Sequence, residues 1–289
     1  MRLGAATALL LPASLYVRGW RDLRARVPER LPPWRLAAFL GGLAVLLAAI
    51  ASPLDGLAER LLRAHMAQHM LLLMVAPPLL LLGCPQLPLL RGLPAWLRSR
   101  VAPLQSNVAL RRIGETAAHP LVGWTALAAA TWGWHLPAAF ELALRDDAWH
   151  AVEHACFLAA GLLFWWPVVQ PWPSRPRWPR WTMIPYLLLA DFQNTALAAL
   201  LTFSDRVLYP FYAELPGVNG ASALDDQSAA GVLMWVPMSI LYLVPAGVIT
   251  LRLLSPRRPI TRSARPFRSA PAPPPPPGRA RSRTSAAAP

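Results

Sequence analysis

Seven apolar blocks alternate with polar connections along this chain, at residues 3–17, 36–52, 66–83, 121–136, 150–169, 183–203 and 232–251. A helix needs about 20 apolar residues to cross the ~30 Å hydrocarbon core of a bilayer, and most of these blocks approach that length. The pattern predicts an all-α, polytopic membrane protein: a bundle of about seven transmembrane helices over residues 1–254. The first block is read as a membrane helix, not a signal peptide. It has no basic n-region beyond Arg2, and no small-x-small cleavage site precedes the next arginines. Pro77 and Pro78 interrupt the third block and are expected to kink it, freeing carbonyls that must be satisfied internally.

The connections orient the bundle. All 28 basic residues are arginine. Arg18, Arg21, Arg24, Arg26, Arg30 and Arg35 follow the first block, and Arg91, Arg98, Arg100, Arg111 and Arg112 follow the third. Arg175, Arg177 and Arg180 follow the fifth, and nine arginines follow the seventh. The other connections hold Arg60, Arg63, Arg145 and Arg206, each among acidic residues. Counted with Arg2, 23 arginines fall on one side and five on the other, in strict alternation. The positive-inside rule then places the N-terminus outside and the C-terminus in the cytoplasm of a cell-membrane protein.

Composition fits this reading. Hydrophobic residues are 55% and charged residues 15% of the chain, against about 25% charged in soluble domains. The net charge of +14 would suit nucleic acid, but it is confined to one side's loops and the tail, so the expected partner is the lipid bilayer. Residues 255–289 are rich in Pro, Ser and Arg, with five consecutive prolines, and are expected to be a disordered cytoplasmic tail touching anionic headgroups. Residues 93–113 are expected to form an amphipathic helix on the cytoplasmic surface. Cys84 and Cys156 lie towards opposite faces, so no disulfide is expected.

Candidate chemistry gathers at one depth. Five of the six histidines, His65, His69, His135, His150 and His154, fall at the outer ends of the third, fourth and fifth predicted helices. HMAQH (65–69) and HAVEH (150–154) each place two imidazoles one helical turn apart on a single face. Ionisable groups in a membrane are costly, so a cluster of them points to function. Imidazole is a common transition-metal ligand, and the thioethers of Met66 and Met70 beside the first pair suit monovalent copper. Glu153, Asp225, Asp226 and Gln227 join the same layer, while Asp191 and Asn194 lie one turn apart near mid-membrane. His119, at the cytoplasmic start of the fourth helix, is read as a helix-starting histidine. Four readings stay open: a copper site, haem ligation, proton chemistry, and histidines bonded to backbone or carboxylate. Histidines paired at one turn suit a small ion better than haem. No H-E-x-x-H, G-x-S-x-G, Walker or dinucleotide-binding signature is present, so no enzyme is expected.

The segments HMAQHMLLLMVAPPLLLLGCP, WGWHLPAAFELAL, HAVEHACFLAAGLLFWWPV and DDQSAAGVLMW, in this order, resemble the CtaG family of multi-span bacterial cytochrome c oxidase assembly factors. YVRGWRDLR and FSDRVLYPFY fit the same pattern, and the resemblance runs from about Tyr16 to Leu251. It implies a role in maturing a haem–copper oxidase, with cytochrome c oxidase subunits as partners and copper handled at the outer side. The matching motif positions are His65, Gln68, His69, His135, Pro137, His150, His154, Asp225 or Asp226, Gln227, Gly231 and Trp235. Alternatives are a membrane cytochrome or copper-uptake protein, and a metal-free scaffold for oxidase subunits.

Overall fold

The computed structural model describes residues 2–174, 177–215 and 222–255, so the expected disordered tail beyond Ser255 lies outside the described residues. Among them there is no strand. The first helices are α1 (Arg2–Arg24), α2 (Pro33–Ala51), α3 (Pro53–Ala58) and α4 (Leu62–Met70). A π-helical turn, Leu71–Val75, joins α4 to α5 (Ala76–Leu82). Then come α6 (Gln86–Gly92), α7 (Ala95–Val101), α8 (Val108–Ala117), α9 (Pro120–Trp134) and α10 (Pro137–Arg145). The chain continues through α11 (Asp147–Val169), α12 (Met183–Phe203), α13 (Pro210–Ala213) and α14 (Ala223–Leu254). Pro33, Pro53, Pro120, Pro137 and Pro210 each open a helix, where the missing N–H costs nothing and the fixed φ already suits the first turn.

Among the described residues, five helical stretches are long and apolar enough to cross a membrane: Pro33–Ala51, Leu62–Leu82, Asp147–Val169, Arg180–Phe203 and Ala223–Leu254. The two other predicted spans fall short by themselves. The apolar run of α1 is bounded by Arg18, Arg21 and Arg24 and contains Pro12. The 15 residues of α9 rise only about 22 Å.

The rod from α4 through α5 is the centre of the bundle. Its apolar window is 61% buried, against 22–44% for the other spanning stretches, and it packs on α2, α11 and α14. The disturbance expected from Pro77 and Pro78 takes the form of the π turn just before them. Helix α11 crosses this turn closely at Gly161. A Cβ there would come within 2.6 Å of both the Leu73 carbonyl oxygen and the Pro77 ring, so only glycine permits the approach.

At the opposite end of the rod, Tyr16 of α1 stacks on Phe39 of α2 at 3.8 Å and donates its hydroxyl to the Gly83 carbonyl at 2.5 Å. The Arg35 guanidinium meets the Cys84 thiol beside it. Cys84 and Cys156 are free thiols. The amphipathic stretch is two short helices, not one. Pro103 falls in a 3-10 turn at Ala102–Ser106, and the Asn107 side chain caps α8. Trp96, Leu104, Val108, Leu110 and Ile113 are exposed along it.

Candidate functional site

The starts of two helices set where the histidine pairs stand. The Asp226 carboxylate of α14 accepts the Leu62 N–H at 2.6 Å, capping α4 from a neighbouring helix, and lies 3.3 Å from Arg63 Nε. The Asp146 side chain caps α11 by accepting the N–H groups of Ala148 and Trp149. From these fixed starts the four-residue spacing brings each pair onto one face, with ring centroids 4.2 Å apart in His65–His69 and 4.2 Å apart in His150–His154. The two faces meet. His65 lies 5.3 Å from His150 and His69 lies 5.7 Å from His154. His135, at the C-terminal end of α9, joins them 6.5 Å from His69.

Glu153 sits at the centre. Its side chain is fully buried, with Oε2 3.6 Å from His65 Nε2 and Oε1 3.6 Å from His69 Nε2. One ligating atom each from His65, His150 and Glu153 lies within 4.8 Å of the others. Both carboxylate oxygens, both ring nitrogens of His65 and His69, and Nε2 of His135, His150 and His154 are buried without a hydrogen-bond partner among the described residues. Buried polar atoms are almost always satisfied, so such a concentration needs a chemical reason. A carboxylate and several imidazoles turned towards one another could hold a transition-metal ion.

His135 is prepared in the same sense. Its Nδ1 lies 2.6 Å from the Thr131 carbonyl oxygen, which can only accept, so Nδ1 carries the proton and Nε2 offers a lone pair. Phe140 packs 5.0 Å from His65, and Phe157 packs 4.3 Å from His69, so aromatic rings wall the cluster. A pocket beside it is lined by His69, His135, Met66, Met70, Met234 and Met238.

Tyrosines from the stretch after α12 cover this end of the cluster. Tyr209 stacks on Phe140 at 4.0 Å and donates to the His135 carbonyl at 3.1 Å. Tyr212 donates to the Ala58 carbonyl at 2.8 Å. Burial first, then the charge of Glu153, pushes both phenols well above their ordinary range, which keeps them hydrogen-bond donors.

The remaining sequence candidates divide. Met66 and Met70 stand at the site, and Asp226 positions α4. Gln227 accepts the Leu208 N–H and donates to the Arg206 carbonyl, tying the stretch after α12 to α14. Asn194 donates to the Met234 carbonyl, beneath the pocket. Two candidates make their contacts elsewhere. Asp225 is exposed and bonds Ser222, and Asp191 accepts from Ser239 on the α12–α14 contact. Glu141 accepts the Phe211 N–H and pairs with Arg145. His119 caps α9 by accepting the Leu121 N–H. Sequence reasoning missed Phe140, Phe157, Tyr209, Tyr212, Met234 and Met238, all of which stood within apolar or connecting stretches with no polar pattern to single them out. Gln68, marked only by resemblance, is wholly buried and donates to the Ala49 carbonyl at 2.7 Å.

The family model described as cytochrome c oxidase caa3 assembly factor matches residues 14–255. Uncharacterized proteins of Mycobacterium bovis and Mycobacterium tuberculosis are each 29% identical over 240 residues, covering 81% of this chain and 35% of theirs. One from Mycobacterium leprae is 28% identical over 236 residues, covering 80% of this chain and 35% of its own. The chain thus spans about a third of the length of these relatives. No solved structure matches.

Proposed function

Because the chain belongs to the cytochrome c oxidase caa3 assembly factor family, we propose that it is a non-catalytic factor that holds copper in its histidine cluster and passes it to an oxidase subunit. The ion is cargo. The site faces the outer side of the cell membrane, and the chain crosses that membrane seven times with its C-terminus in the cytoplasm. Two facts support the count: arginines alternate strictly between the two sides, and α1 and α9 pack on spanning neighbours, α2 and α11.

One observation carries the reading. Glu153 and five imidazoles meet in a cluster in which both carboxylate oxygens and at least one nitrogen of each imidazole are buried without a hydrogen-bond partner among the described residues. Each buried unsatisfied group costs about 1–3 kcal/mol, which a bound cation offsets. His65, His69, His150 and Glu153 would hold the ion, with His135 and His154 as further donors. A donor set larger than one ion's coordination number lets a ligand be released while another closes, as transfer requires. The close packing of Phe140 and Phe157 on the imidazoles favours an ion over a porphyrin.

The test is cellular. His69→Ala and His154→Ala should lower oxidase activity and oxidase copper content while the factor stays in the membrane. Normal oxidase copper in both variants contradicts the copper role. A defect with normal copper would favour a metal-free scaffold.

A further inference from the structure

Four of the chain's seven methionines line the pocket beside the cluster: Met66 and Met70 from α4, Met234 and Met238 from α14. Each pair is spaced by four residues, so both thioethers of a pair share one helix face. The register of the two helices is fixed at their outer ends, where Asp226 caps Leu62. Eight residues further along each helix, roughly 12 Å deeper at 1.5 Å per residue, stand Met70 and Met234. Asn194 holds the α14 backbone at that level through the Met234 carbonyl, 3.1 Å away. Met66, Met234 and Met238 are each less than a twentieth exposed.

Methionine fills gaps in many cores, but here the methionines share their pocket with His69 and with His135, whose Nε2 is buried and without a hydrogen-bond partner among the described residues. The donor character therefore changes across the site. On the Glu153 side it is carboxylate and imidazole, which accept borderline divalent ions. On this side it is thioether with one imidazole, which selects soft monovalent ions.

We propose that Met66, Met70, Met234, Met238 and His135 form a second binding site, for monovalent copper, with His69 standing between it and the Glu153 cluster. The proposal rests on the copper-carrier reading and deepens it: the protein holds its cargo in the reduced state at a sulfur-rich site next to the imidazole site. No electron transfer is involved.

Two probe ions separate the sites. Silver(I) is a redox-inert soft ion that reads the thioether site, and zinc(II), which ignores thioethers, reads the imidazole–carboxylate cluster. Full-length protein in detergent is titrated with each. The variant with Met66, Met70, Met234 and Met238 all changed to Leu should lose about one equivalent of silver and keep its zinc. The milder M234L/M238L variant, checked for an unchanged melting temperature, should show weakened silver binding in the same direction. Met74→Leu, at a buried methionine outside the pocket lining, should bind as the parent does. Equal silver binding in the parent and both pocket variants overturns the soft site. If zinc still binds in that case, the imidazole cluster stands alone. If the parent takes up neither ion, both readings fall.

Discussion

The Glu153 carboxylate and the His65 imidazole face each other at 3.6 Å, each at most 1% exposed, with no hydrogen bond between them. His69 stands at the same distance from the other carboxylate oxygen. The separation is too long for a hydrogen bond and short enough for one cation to bind both groups. A lone buried carboxylate is strongly unfavourable, so this glutamate is expected to earn its place through the ion it helps to hold.

Glu153→Gln keeps the shape and removes the charge. Metal affinity should fall by about 10–100-fold, while the metal-free protein should melt no lower than the parent, because an uncompensated charge has gone. Thermal melting and copper titration in detergent check this. A metal-free variant that melts lower would instead make Glu153 the ion-pair partner of a protonated histidine.

Gly161 acts at a distance. The Cβ of Gly161→Ala would come within 2.6 Å of the Leu73 carbonyl and the Pro77 ring, and neither can swing aside as a flexible side chain would. We expect a loss of about 1–3 kcal/mol and a fall in metal uptake, although no ligand is touched. The uptake falls because α11 carries Glu153, His150 and His154 away from α4. Parental melting and uptake would mean that the two helices slide freely here.

Asp226 does two jobs that its variants separate. Asp226→Ala leaves the Leu62 N–H and Arg63 without their partner, at an expected cost of about 1–2 kcal/mol. Asp226→Asn keeps an acceptor for Leu62 and loses only the pair with Arg63, which is 39% exposed and so partly screened. The asparagine variant should therefore melt between the parent and the alanine variant. The reverse order would make the ion pair dominant.

The orientation is tested by cysteine labelling in a background with Cys84 and Cys156 replaced by Ala. A cysteine at Asp147 should react with an impermeant reagent in whole cells. One at Ser99 should react only after the membrane is opened. The opposite pattern inverts the topology and puts the cluster on the cytoplasmic side.

The histidines were legible in the sequence because four-residue spacing and helix-end position are local properties. Glu153 was visible as a neighbour, yet its central place depends on the rotation of α11, which the Asp146 cap and the Gly161 crossing set together. Met234 and Met238 lie in a helix that is apolar all round, where no periodicity marks the inward face. Asp225 and Asp226 are adjacent and chemically alike. The helix turns one into α4's cap and the other to Ser222 and solvent. The π turn could not be read either, since prolines announce a disturbance but not its form.

The most direct test is metal and haem analysis of the full-length protein purified in detergent, beside a variant with His65, His69, His150 and His154 changed to Ala. The account predicts copper in the parent, before or after loading with copper(I), and its loss in the variant, with no Soret band in either. A parent that takes up no copper even after loading contradicts the account, and a Soret band would assign the imidazoles to haem.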